Sequence, residues 1–490
     1  MSTRDGRSWM PGAGPEADLP CVAAITPSCN VERHTSPEPF DAIVIGAGYA
    51  GLIAARDLTT SGLKVLLLDG RDRLGGRAWS TDLDGHPFEM GGSYVSDVHR
   101  HVWREITRYQ LGVKAGPERK DEQNKAILIR DGEERHASQD ERNRLLRSAV
   151  MKIFNVDGAY GKLVMPTPLD EAALTVENRT AYDDMSIADR LAQLGDGLSA
   201  DETAVVSSFV VMCTGSRAMD ECSFYELLHW WCLCGHSPDA FFRNIGVYQL
   251  RRGQSSLARC IFDDALGSGR LAYALGTPVD AVRDGPDAAT VRAGAGGRAF
   301  RARRVVCTVP LNTLRRIAFD PPLPADKLAA ADTNRRNGGA KINSRCAGAD
   351  LRSWTCSDPD NGLICYSYES GSAAAGTTNI VGFGQYPEGE LDDAAVGERF
   401  GASIHESLRP HVKQIVFHNW SRDEYSNGSW FFPGPGLVTR YLDGLRRDHG
   451  NVLFASSDWS TGWRGFIDGA MQEGARAAAG IVKSLRVERL

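Results

Sequence analysis

The stretch Asp41-Ala-Ile-Val-Ile-Gly46-Ala-Gly48-Tyr-Ala-Gly51-Leu52 decides the fold of this chain. Its apolar start predicts a buried strand, and its glycines, spaced G-x-G-x-x-G, predict a tight turn into a helix. Gly46 permits the turn, Gly48 lets backbone amides approach a pyrophosphate, and Gly51 lets the helix pack closely on the sheet. Because the free N–H groups at a helix start favour negative charge, the stretch predicts a phosphate-binding turn.

A second strand and a second glycine pair follow this turn. Val65-Leu-Leu-Leu-Asp69 is typical of a buried strand with a terminal acid, and Arg71-Asp-Arg-Leu-Gly75-Gly76-Arg77 comes soon after it. An acid about twenty residues beyond the turn can accept hydrogen bonds from ribose hydroxyls. A glycine turn alone could be purely structural, but the strands, the helix and Asp69 together predict a dinucleotide site. From these residues, NAD and FAD are nearly equal candidates.

The composition is that of a globular chain with no polyanionic partner. The 490 residues are 42% hydrophobic and 24% charged, with a formal net charge of −6. These values exclude general disorder and leave no basic footprint for nucleic acid. The length predicts two domains. The longest nearly apolar run, 42–55, is too short to span a bilayer, so no transmembrane anchor is expected.

The cysteines predict neither a disulfide framework nor a metal site. There are eleven, and the pair in Cys232-Leu-Cys234 has neither redox nor zinc spacing. We therefore expect no metal, and we expect free thiols in a reducing compartment, with the cytoplasm as the default location.

The order of predicted elements indicates a flexible N-terminal tail and two interleaved domains. Residues 1–39 are rich in proline and lack the apolar core of a secretion signal, which predicts the tail. Apolar residues three and four apart predict helices through much of 136–245, whereas strand patterns return at 271–309. We predict an α/β fold, mixed with α+β features, in which a discontinuous Rossmann-like domain alternates with a substrate domain of mixed sheet and helices. The first domain is assigned to 40–120, 246–322 and 428–486, and the second to 121–245 and 323–427.

Four separated pieces of the chain resemble one known family, in the family's order. The first is the glycine turn with its acid and second glycine pair, and the second is Glu89-Met-Gly91-Gly92-Ser93-Tyr-Val95. The third joins 250–254 to Thr277-Pro278-Val279 and 305–310, and the fourth is Phe454–Ala470. From about Phe40 to Leu485 the chain is similar to the flavin-containing amine oxidases, which include monoamine oxidases, polyamine oxidases and L-amino acid oxidases.

The resemblance implies FAD as the cofactor and an FAD-binding domain of the glutathione-reductase type. Val279 falls at the family position that touches the adenine, and the helix that follows Gly465 faces the flavin. Asp69 stands where the family has glutamate, and Ser456-Ser457-Asp458 stands where Gly-Thr/Glu-Glu is usual. The implied cofactor-binding residues are Gly46, Gly48, Ala50, Gly51, Asp69, Arg71, Gly75, Gly76, Arg77, Gly91, Gly92, Ser93, Val279, Asp458, Gly465, Phe466 and Ile467.

The resemblance also implies three residues at the reacting end of the cofactor. Lys341 matches the lysine that holds a water against flavin N5, and Trp430 and Phe466 match the aromatic pair that flanks the substrate nitrogen. Taken alone, such a lysine is more often a solvated surface residue, and such aromatics are as often core. Both tyrosines of the usual pair are replaced here, which leaves the substrate open. The segments that line the family's substrate cavity correspond here to His229-Trp230-Trp231, Phe241-Phe242 and Tyr248.

The implied activity is the oxidation of an amine C–N bond. The product is an imine, which hydrolyses to a carbonyl compound and ammonia or an amine, while O2 is reduced to H2O2. Ser429 stands where animal monoamine oxidases have a cysteine bonded to the flavin, so FAD is expected to be held non-covalently. The expected partners are a small-molecule amine and O2, and a homodimer is one assembly left open.

Other activities remain open at this point. An L-amino acid oxidase needs an arginine for the substrate carboxylate, and Arg217, Arg243 and Arg422 are candidates. A tailoring oxidase or desaturase of secondary metabolism belongs to the same family. A non-catalytic flavin-bearing interaction protein is a different class, and the presence of Lys341 argues against it because a scaffold has no need to keep that residue.

Overall fold

The structure is a computed structural model. It describes residues 1–33, 38–115, 125–130, 133–167, 176–216, 218–333, 337–347, 353–356, 363–371, 376–386, 393–403 and 411–487.

Strands and helices alternate along most of the described chain. The strands are β1 (Arg7–Trp9), β2 (Pro15–Glu16), β3 (Phe40–Ile45), β4 (Val65–Leu68), β5 (Ser80–Leu83), β6 (His86–Glu89), β7 (Val113–Ala115), β8 (Lys125–Arg130), β9 (Glu133–Ser138), β10 (Tyr248–Leu250), β11 (Leu271–Ala274), β12 (Val279–Arg283), β13 (Ala289–Ala293), β14 (Arg298–Cys307), β15 (Ala318–Asp320), β16 (Gly339–Ala347), β17 (Ser353–Cys356), β18 (Ile364–Gly371), β19 (Thr377–Gln385), β20 (Val412–Phe417) and β21 (Val452–Phe454). The helices are α1 (Tyr49–Thr60), α2 (Arg100–Arg108), α3 (Gln139–Phe154), α4 (Val176–Asp183), α5 (Ile187–Leu194), α6 (Ala200–Thr214), α7 (Phe224–Leu233), α8 (Pro238–Ile245), α9 (Gln254–Gly267), α10 (Ala325–Asp332), α11 (Asp393–Ser403), α12 (Leu437–Arg446) and α13 (Ile467–Val487). Within the described ranges, no helix combines the length and the hydropathy needed to cross a bilayer.

An eight-stranded sheet, which we name the first sheet, contains the predicted strand–turn–helix unit. Its neighbours run β11-β4-β3-β14-β13-β12-β15, and β21 also pairs with β14. The part formed by β11, β4, β3, β14 and β21 is parallel, and β4 and β21 are buried along their whole length. In such sheets a ligand binds beyond the carboxyl ends of the strands where the strand order reverses, which is here between β3 and β14.

Helix α1 approaches its neighbours at backbone distance because small residues occupy the contacts. A Cβ atom added to Gly51 would lie 1.8 Å from the carbonyl oxygen of Gly46. On the opposite side, a Cβ added to Gly474 of α13 would lie 2.2 Å from the carbonyl oxygen of Ala50. The third glycine of the motif therefore has the packing role that the sequence predicts for it.

A nine-stranded sheet, which we name the second sheet, runs β2-β1-β20-β16-β19-β18-β17-β8-β9. Strand β16 carries Lys341 and pairs antiparallel with both β19 and β20. Helices α3 to α8 confirm the predicted helical block, and α6 packs against this sheet. Helix α11 packs against strands β1 and β18 of this sheet.

These two sheets and their helices confirm the predicted mixed α/β fold class. The strands of the first sheet come from 40–68, 271–320 and 452–454, whereas those of the second come from 125–138 and 339–417 together with β1 and β2. The boundaries of the two interleaved domains stay a prediction.

The prediction of a flexible N-terminal tail is wrong for residues 1–33. Strand β1 pairs antiparallel with β20 of the second sheet, with Ser8 opposite Val416. Further along, Leu19, Cys21 and Ile25 are buried in the core beneath the first sheet. The prolines of this segment do prevent long regular elements, but they are compatible with an irregular path fixed by apolar contacts. Residues 34–37 lie outside the described ranges.

Candidate active site

A long cavity of about 1320 Å³ lies between the first and second sheets. It begins beside Asp69 and Val279, passes the glycine turn, and continues to Lys341 and Phe466. Of the residues predicted for the site, all except Gly51 and Asp458 line this cavity. Segments that are hundreds of residues apart in the chain thus share one wall.

The glycine turn forms a close cradle at the carboxyl ends of β3 and β14. A Cβ on Gly46, whose φ is +105°, would lie 2.4 Å from Oγ1 of Thr308. A Cβ on Gly76 would lie 3.0 Å from Cα of Gly48, so the two glycine pairs face each other directly. Because no side chain fills this gap, backbone N–H groups are free to approach a phosphate. Thr308 was not predicted, although it follows the strand that the motif's own strand pairs with.

The carboxylate of Asp69 is fixed by two backbone donors. It accepts hydrogen bonds from the amide of Ala47 at 2.6 Å and from the amide of Arg71 at 2.7 Å. Burial raises the pKa of Asp69, and the nearby charge of Arg71 opposes this. Each carboxylate oxygen accepts only one of these bonds, so further acceptor capacity remains on the side of the cavity that Asp69 lines.

Asp458 lies behind the cavity wall and not on it. Its Oδ1 pairs with Arg77 at 2.5 Å and its Oδ2 accepts from the amide of Leu311 at 3.0 Å. Arg77 also donates to Ser457 at 3.0 Å, and both of these residues line the cavity. The structure therefore assigns Asp458 the task of holding Arg77, and Ser457 takes the lining position that the sequence pattern gave to its neighbour.

Lys341 is buried at the point where the glycine-rich part of the cavity meets its aromatic part. Its Nζ donates to the carbonyl oxygen of Gly91 and to Oγ of Ser93, both at 2.7 Å. An ammonium has a third donor, which stays available for a molecule in the cavity. Burial lowers the pKa of Lys341 to about 8, and the carboxylate of Glu89 opposes this lowering.

Glu89 is a buried acid whose charge acts on the pKa of Lys341. It accepts hydrogen bonds from the amide of Gln254 at 2.9 Å and from the hydroxyl of Ser80 at 3.1 Å. Burial raises the pKa of Glu89, and Lys341 opposes this. The sequence signal was available, since an acid two residues before a glycine pair in an apolar setting needs polar partners.

Aromatic rings form the far end of the cavity, which we name the aromatic chamber. Its lining rings are those of Trp230, Tyr366, Tyr368, Phe383, Trp430 and Phe466. Trp230 meets Phe466 edge-to-face with ring centroids 5.0 Å apart, and Trp430 meets Phe383 with centroids 6.4 Å apart. Such contacts exclude water and fix the ring faces.

Both tryptophans of the chamber use their indole N–H groups within the protein. Trp230 donates to Oε1 of Glu226 at 2.9 Å, and Trp430 donates to the carbonyl oxygen of Cys213 at 2.9 Å. The two indoles therefore offer a ligand their ring surfaces and not their donors. An amine in contact with these rings meets an apolar surface that excludes water.

Glu226 connects the chamber to the loop before α13. Its second oxygen is hydrogen-bonded to Arg464, and both side chains are buried. Burial would raise the pKa of Glu226, but the charge of Arg464 together with the contacts from His229 and Trp230 lowers it. Arg464 directly precedes Gly465 and Phe466, so the ion pair links the position of Trp230 to that of Phe466. Neither charged residue was predicted.

The other aromatics named from sequence divide between cavity and core. Phe242 joins Trp230 in the lining, whereas Trp231 stacks on Phe154 at 4.6 Å inside the helical block. Phe241 is likewise core, and Tyr248 packs against Trp103. Sequence spacing on α7 and α8 does not reveal which face of each helix looks into the cavity.

The cavity opens to solvent between α3 and α8. Asp140, Asn143, Arg144 and Arg147 of α3 and Asp239 of α8 line this opening, and Arg147 pairs with Asp239 across it. The pair is exposed, so it contributes little to stability. The other charged lining groups of the described chain are Asp69, Arg71, Arg77, Asp280, Arg316, Lys341 and Glu424.

Ser429 lies in the cavity wall beside Trp430. Its hydroxyl donates to the carbonyl oxygen of Asn337 at 2.9 Å and is buried. A hydroxyl has no route to the thioether bond that a cysteine could form at this position.

The arrangement fits an extended flavin dinucleotide. The glycine cradle leaves room for a pyrophosphate, Asp69 offers acceptors for a ribose, and the cavity continues past Lys341 into a chamber of rings. A Rossmann-type sheet, an extended cavity past its glycine turn and an adjoining apolar chamber are typical of a flavoprotein oxidoreductase.

Comparison with known proteins defines the family. A sequence model described as flavin containing amine oxidoreductase matches residues 49–482, and the chain belongs to this family. It is 28% identical over 462 residues to a pseudooxynicotine dehydrogenase of a Pseudomonas species, covering 91% of this chain and 87% of that protein. It is 27% identical over 462 residues to the (S)-6-hydroxynicotine oxidase of Paenarthrobacter nicotinovorans, covering 91% of this chain and all of that protein.

Solved structures agree with the fold. A double mutant of putrescine oxidase superimposes with a TM-score of 0.74 at 20% identity, covering 91% of this chain and 99% of that chain. Cyclohexylamine oxidase from Brevibacterium oxydans gives a TM-score of 0.69 at 19% identity, covering 92% and 100% of the two chains. The protein is therefore an FAD-dependent enzyme of amine oxidation, as the sequence predicted.

Proposed function

We propose that the enzyme oxidises an amine with a single basic nitrogen on an apolar or aromatic skeleton, with O2 as electron acceptor and H2O2 as by-product. The imine formed hydrolyses to a carbonyl compound and ammonia or a smaller amine. FAD, when bound, supplies the two-electron acceptor that no side chain can provide. The observation that carries the proposal is the aromatic chamber, which adjoins Lys341 at the end of the cofactor cavity.

The chain's own residues orient the amine and keep it neutral. Trp430 and Phe466 line the chamber with ring surfaces, and their indole and phenyl groups offer no acceptor that would hold an ammonium ion by a salt bridge. A dry apolar site favours the neutral amine, the form whose neighbouring C–H bond can be oxidised. The third donor of Lys341 is placed to hold a water molecule at the junction.

An amino acid is a less suitable substrate for this chamber. Arg243 and Arg422 are exposed and do not line the cavity, and Arg217 lies outside the described residues. The arginines that do line the described cavity are Arg71, Arg77, Arg144, Arg147 and Arg316, and none of them is one of the three candidates. Buried Arg142 lies over the ring of Tyr366 at 4.3 Å but does not line the cavity.

The names of the relatives support an aromatic amine. The two relatives compared above are named for pseudooxynicotine and (S)-6-hydroxynicotine, compounds with one strongly basic aliphatic amine nitrogen and an aromatic ring of the pyridine type, whose own nitrogen is only weakly basic. Six rings in the chamber wall suit such a skeleton. FAD is held without a covalent bond, since Ser429 cannot form one.

Anaerobic titration of the purified yellow protein tests the proposal. The panel contains an arylalkylamine, its N-methyl derivative, putrescine and the α-carboxylated parent of the first amine. We expect bleaching of the flavin band with the first two and at least tenfold weaker responses with the others. Bleaching only by the carboxylated compound would support an amino acid oxidase. A yellow protein that no amine bleaches would support a non-catalytic flavin-binding role.

A second measurement separates the oxidase from a dehydrogenase. After anaerobic reduction, air is admitted and H2O2 is quantified. Rapid return of the yellow colour with one H2O2 per flavin supports O2 as acceptor. Reduced flavin that persists in air for minutes would contradict it and direct the search to another acceptor, as in the relatives named dehydrogenases.

A further inference from the structure

The N-terminal segment, residues 1–33, joins the two sheets beside the cofactor cavity. One end adds β1 to the edge of the second sheet at β20. The other end meets the first sheet, where the amide of Asn30 donates to the carbonyl oxygen of Tyr273 at 3.0 Å. Between these contacts, the amide of Leu74 donates to the carbonyl oxygen of Ala23 at 2.9 Å. The segment is therefore packed directly on the loop that carries the second glycine pair.

Asp5 is the charged residue through which this segment meets that loop. Its carboxylate lies 2.7 Å from Nη2 of Arg73 and 3.4 Å from Nε of Arg71. Neither contact has the alignment of a hydrogen bond, so both are close ion pairs. The side chains of the two arginines are 0% and 7% exposed, so their charges need a nearby counter-ion.

Both arginines act on the cofactor cavity. Arg73 donates to the carbonyl oxygen of Gly76 at 2.8 Å and thereby fixes the glycine that faces Gly48. Arg71 lines the cavity itself and donates to Oγ of Ser426 at 2.9 Å. A movement of either guanidinium would shift the wall of the predicted pyrophosphate site.

The surrounding charges are arranged around these arginines and not around a metal ion. Ligand atoms of Asp5, His418 and Asp423 lie within 4.8 Å of one another, which is a spacing that a cation could use. However, Asp423 is hydrogen-bonded to Arg71, and Asp5 faces both guanidinium groups. Burial would raise the pKa of Asp5, but the charges of Arg73, His418 and Arg71 outweigh it and the pKa is lowered. Asp5 is thus an anion held by cations.

We infer that Asp5 is a positioning residue for FAD, and that the N-terminal segment clamps the cofactor through Arg71 and Arg73. The inference relies on FAD as the cofactor, which family membership establishes, and not on the identity of the amine. Removing the carboxylate takes away the ion-pair partner of buried Arg73 and one of the two acids paired with Arg71, so the loop around Gly76 loses its fixed position. We expect the main effect of this change to be weaker binding of FAD.

The test is a direct FAD titration of apo-protein, followed by quenching of flavin fluorescence. Asp5→Asn keeps the shape and removes the charge, and we expect its dissociation constant for FAD to rise at least tenfold. Asp5→Glu restores the charge and should recover most of the affinity. An unchanged dissociation constant in Asp5→Asn, or no recovery in Asp5→Glu, would overturn the inference.

Two substitutions in the same segment serve as controls. Ser8→Ala removes the hydrogen bond that the hydroxyl accepts from Gln414, and Arg7→Ala removes the ion pair with Asp393 on α11. Both loosen the segment without touching Arg71 or Arg73, so each should leave FAD affinity within about twofold. A tenfold loss in these controls would show that general loosening, and not Asp5, governs binding.

A dissociation measurement covers the case in which apo Asp5→Asn does not refold. Holoenzyme of each variant is diluted into buffer at a temperature below its thermal unfolding transition. The FAD that it releases is followed by the rise in flavin fluorescence. We expect release from Asp5→Asn to be at least tenfold faster than from the controls, and equal rates would overturn the inference. Because no amine is present in either experiment, failure of the proposed amine oxidation would not affect the result.

Discussion

The indole of Trp230 lies edge-to-face on Phe466 at 5.0 Å while its N–H donates to Glu226. One wall of the aromatic chamber is therefore set by a buried carboxylate that does not line the cavity. The same carboxylate neutralises Arg464, which directly precedes the Gly465–Phe466 turn. Glu226 therefore both orients the ring of Trp230 and compensates the buried charge of Arg464.

Glu226→Gln should weaken both the fold and the chamber. The change leaves Arg464 buried without its counter-ion, and we expect a loss of about 3 kcal/mol in the free energy of unfolding. Trp230 keeps a possible acceptor, so KM for the amine should rise by less than about tenfold. Urea unfolding and steady-state kinetics measure the two effects. A change of less than about 0.5 kcal/mol, which is roughly the error of such a measurement, would contradict the coupling.

Lys341→Met should slow flavin chemistry while FAD stays bound. The methionine removes the donor that is placed to hold a water at the cavity junction, and we expect at least one half-reaction to slow by about a hundredfold. Stopped-flow measurement of anaerobic reduction and of reoxidation in air separates the two steps. If both half-reactions kept their native rates, the role proposed for Lys341 would be wrong.

The stability of the fold should rise with pH above about 8 because of Lys341. Burial lowers its pKa from the ordinary 10.5 to about 8, so between these values the unfolded chain binds more protons than the folded chain. The penalty for burying the charge is full below about 8 and disappears as pH rises towards 10.5. In Lys341→Met this contribution is absent. Urea midpoints of both proteins from pH 7.5 to 10 check the difference, and parallel curves would contradict it.

Gly51→Ala should disrupt the cofactor turn. The added Cβ would lie 1.8 Å from the carbonyl oxygen of Gly46, so α1 must move away from the sheet. We expect a loss of about 2 kcal/mol in stability and weaker retention of FAD through gel filtration. Gly267→Ala is a matched control at the end of α9, where a new Cβ meets nothing within 4 Å. Equal behaviour of the two variants would contradict the close-packing argument.

Denaturation should release all of the flavin. Ser429 offers no thiol at the position that would allow a covalent link, and its hydroxyl is occupied by Asn337. We expect the yellow colour to remain in the supernatant after acid precipitation, with FAD identified by chromatography. Colour that stays with the protein pellet would contradict non-covalent binding.

The parts of the site that sequence predicts are those with a local pattern. Gly46, Gly48 and Gly51 can be assigned because backbone geometry demands glycine at that spacing. Asp458 shows the limit of this reasoning, because three neighbouring polar residues share one signal and only the fold decides which of them points away from the cavity.

Long-range ion pairs were not predictable at all. Glu226 and Arg464 are 238 residues apart, and each taken alone is typical of an exposed residue. Asp5 lies in a proline-rich segment whose composition indicates disorder, yet its buried partners fix its place. Composition indicates how much apolar surface a segment can bury by itself. It does not indicate that a distant loop, here the one that carries Arg71 and Arg73, will supply partners for that segment.

The position of β14 between β3 and β21 has a consequence for how the enzyme is made. The ribosome delivers β21 and α13 last, whereas the turn that they complete is among the first structures to emerge. Until then the nascent chain presents an unpaired edge of β14 and the uncovered apolar face of α1. Such surfaces are prone to aggregation during synthesis. We therefore expect chaperone supply and slow translation late in the message, more than added riboflavin early, to raise the yield of yellow protein.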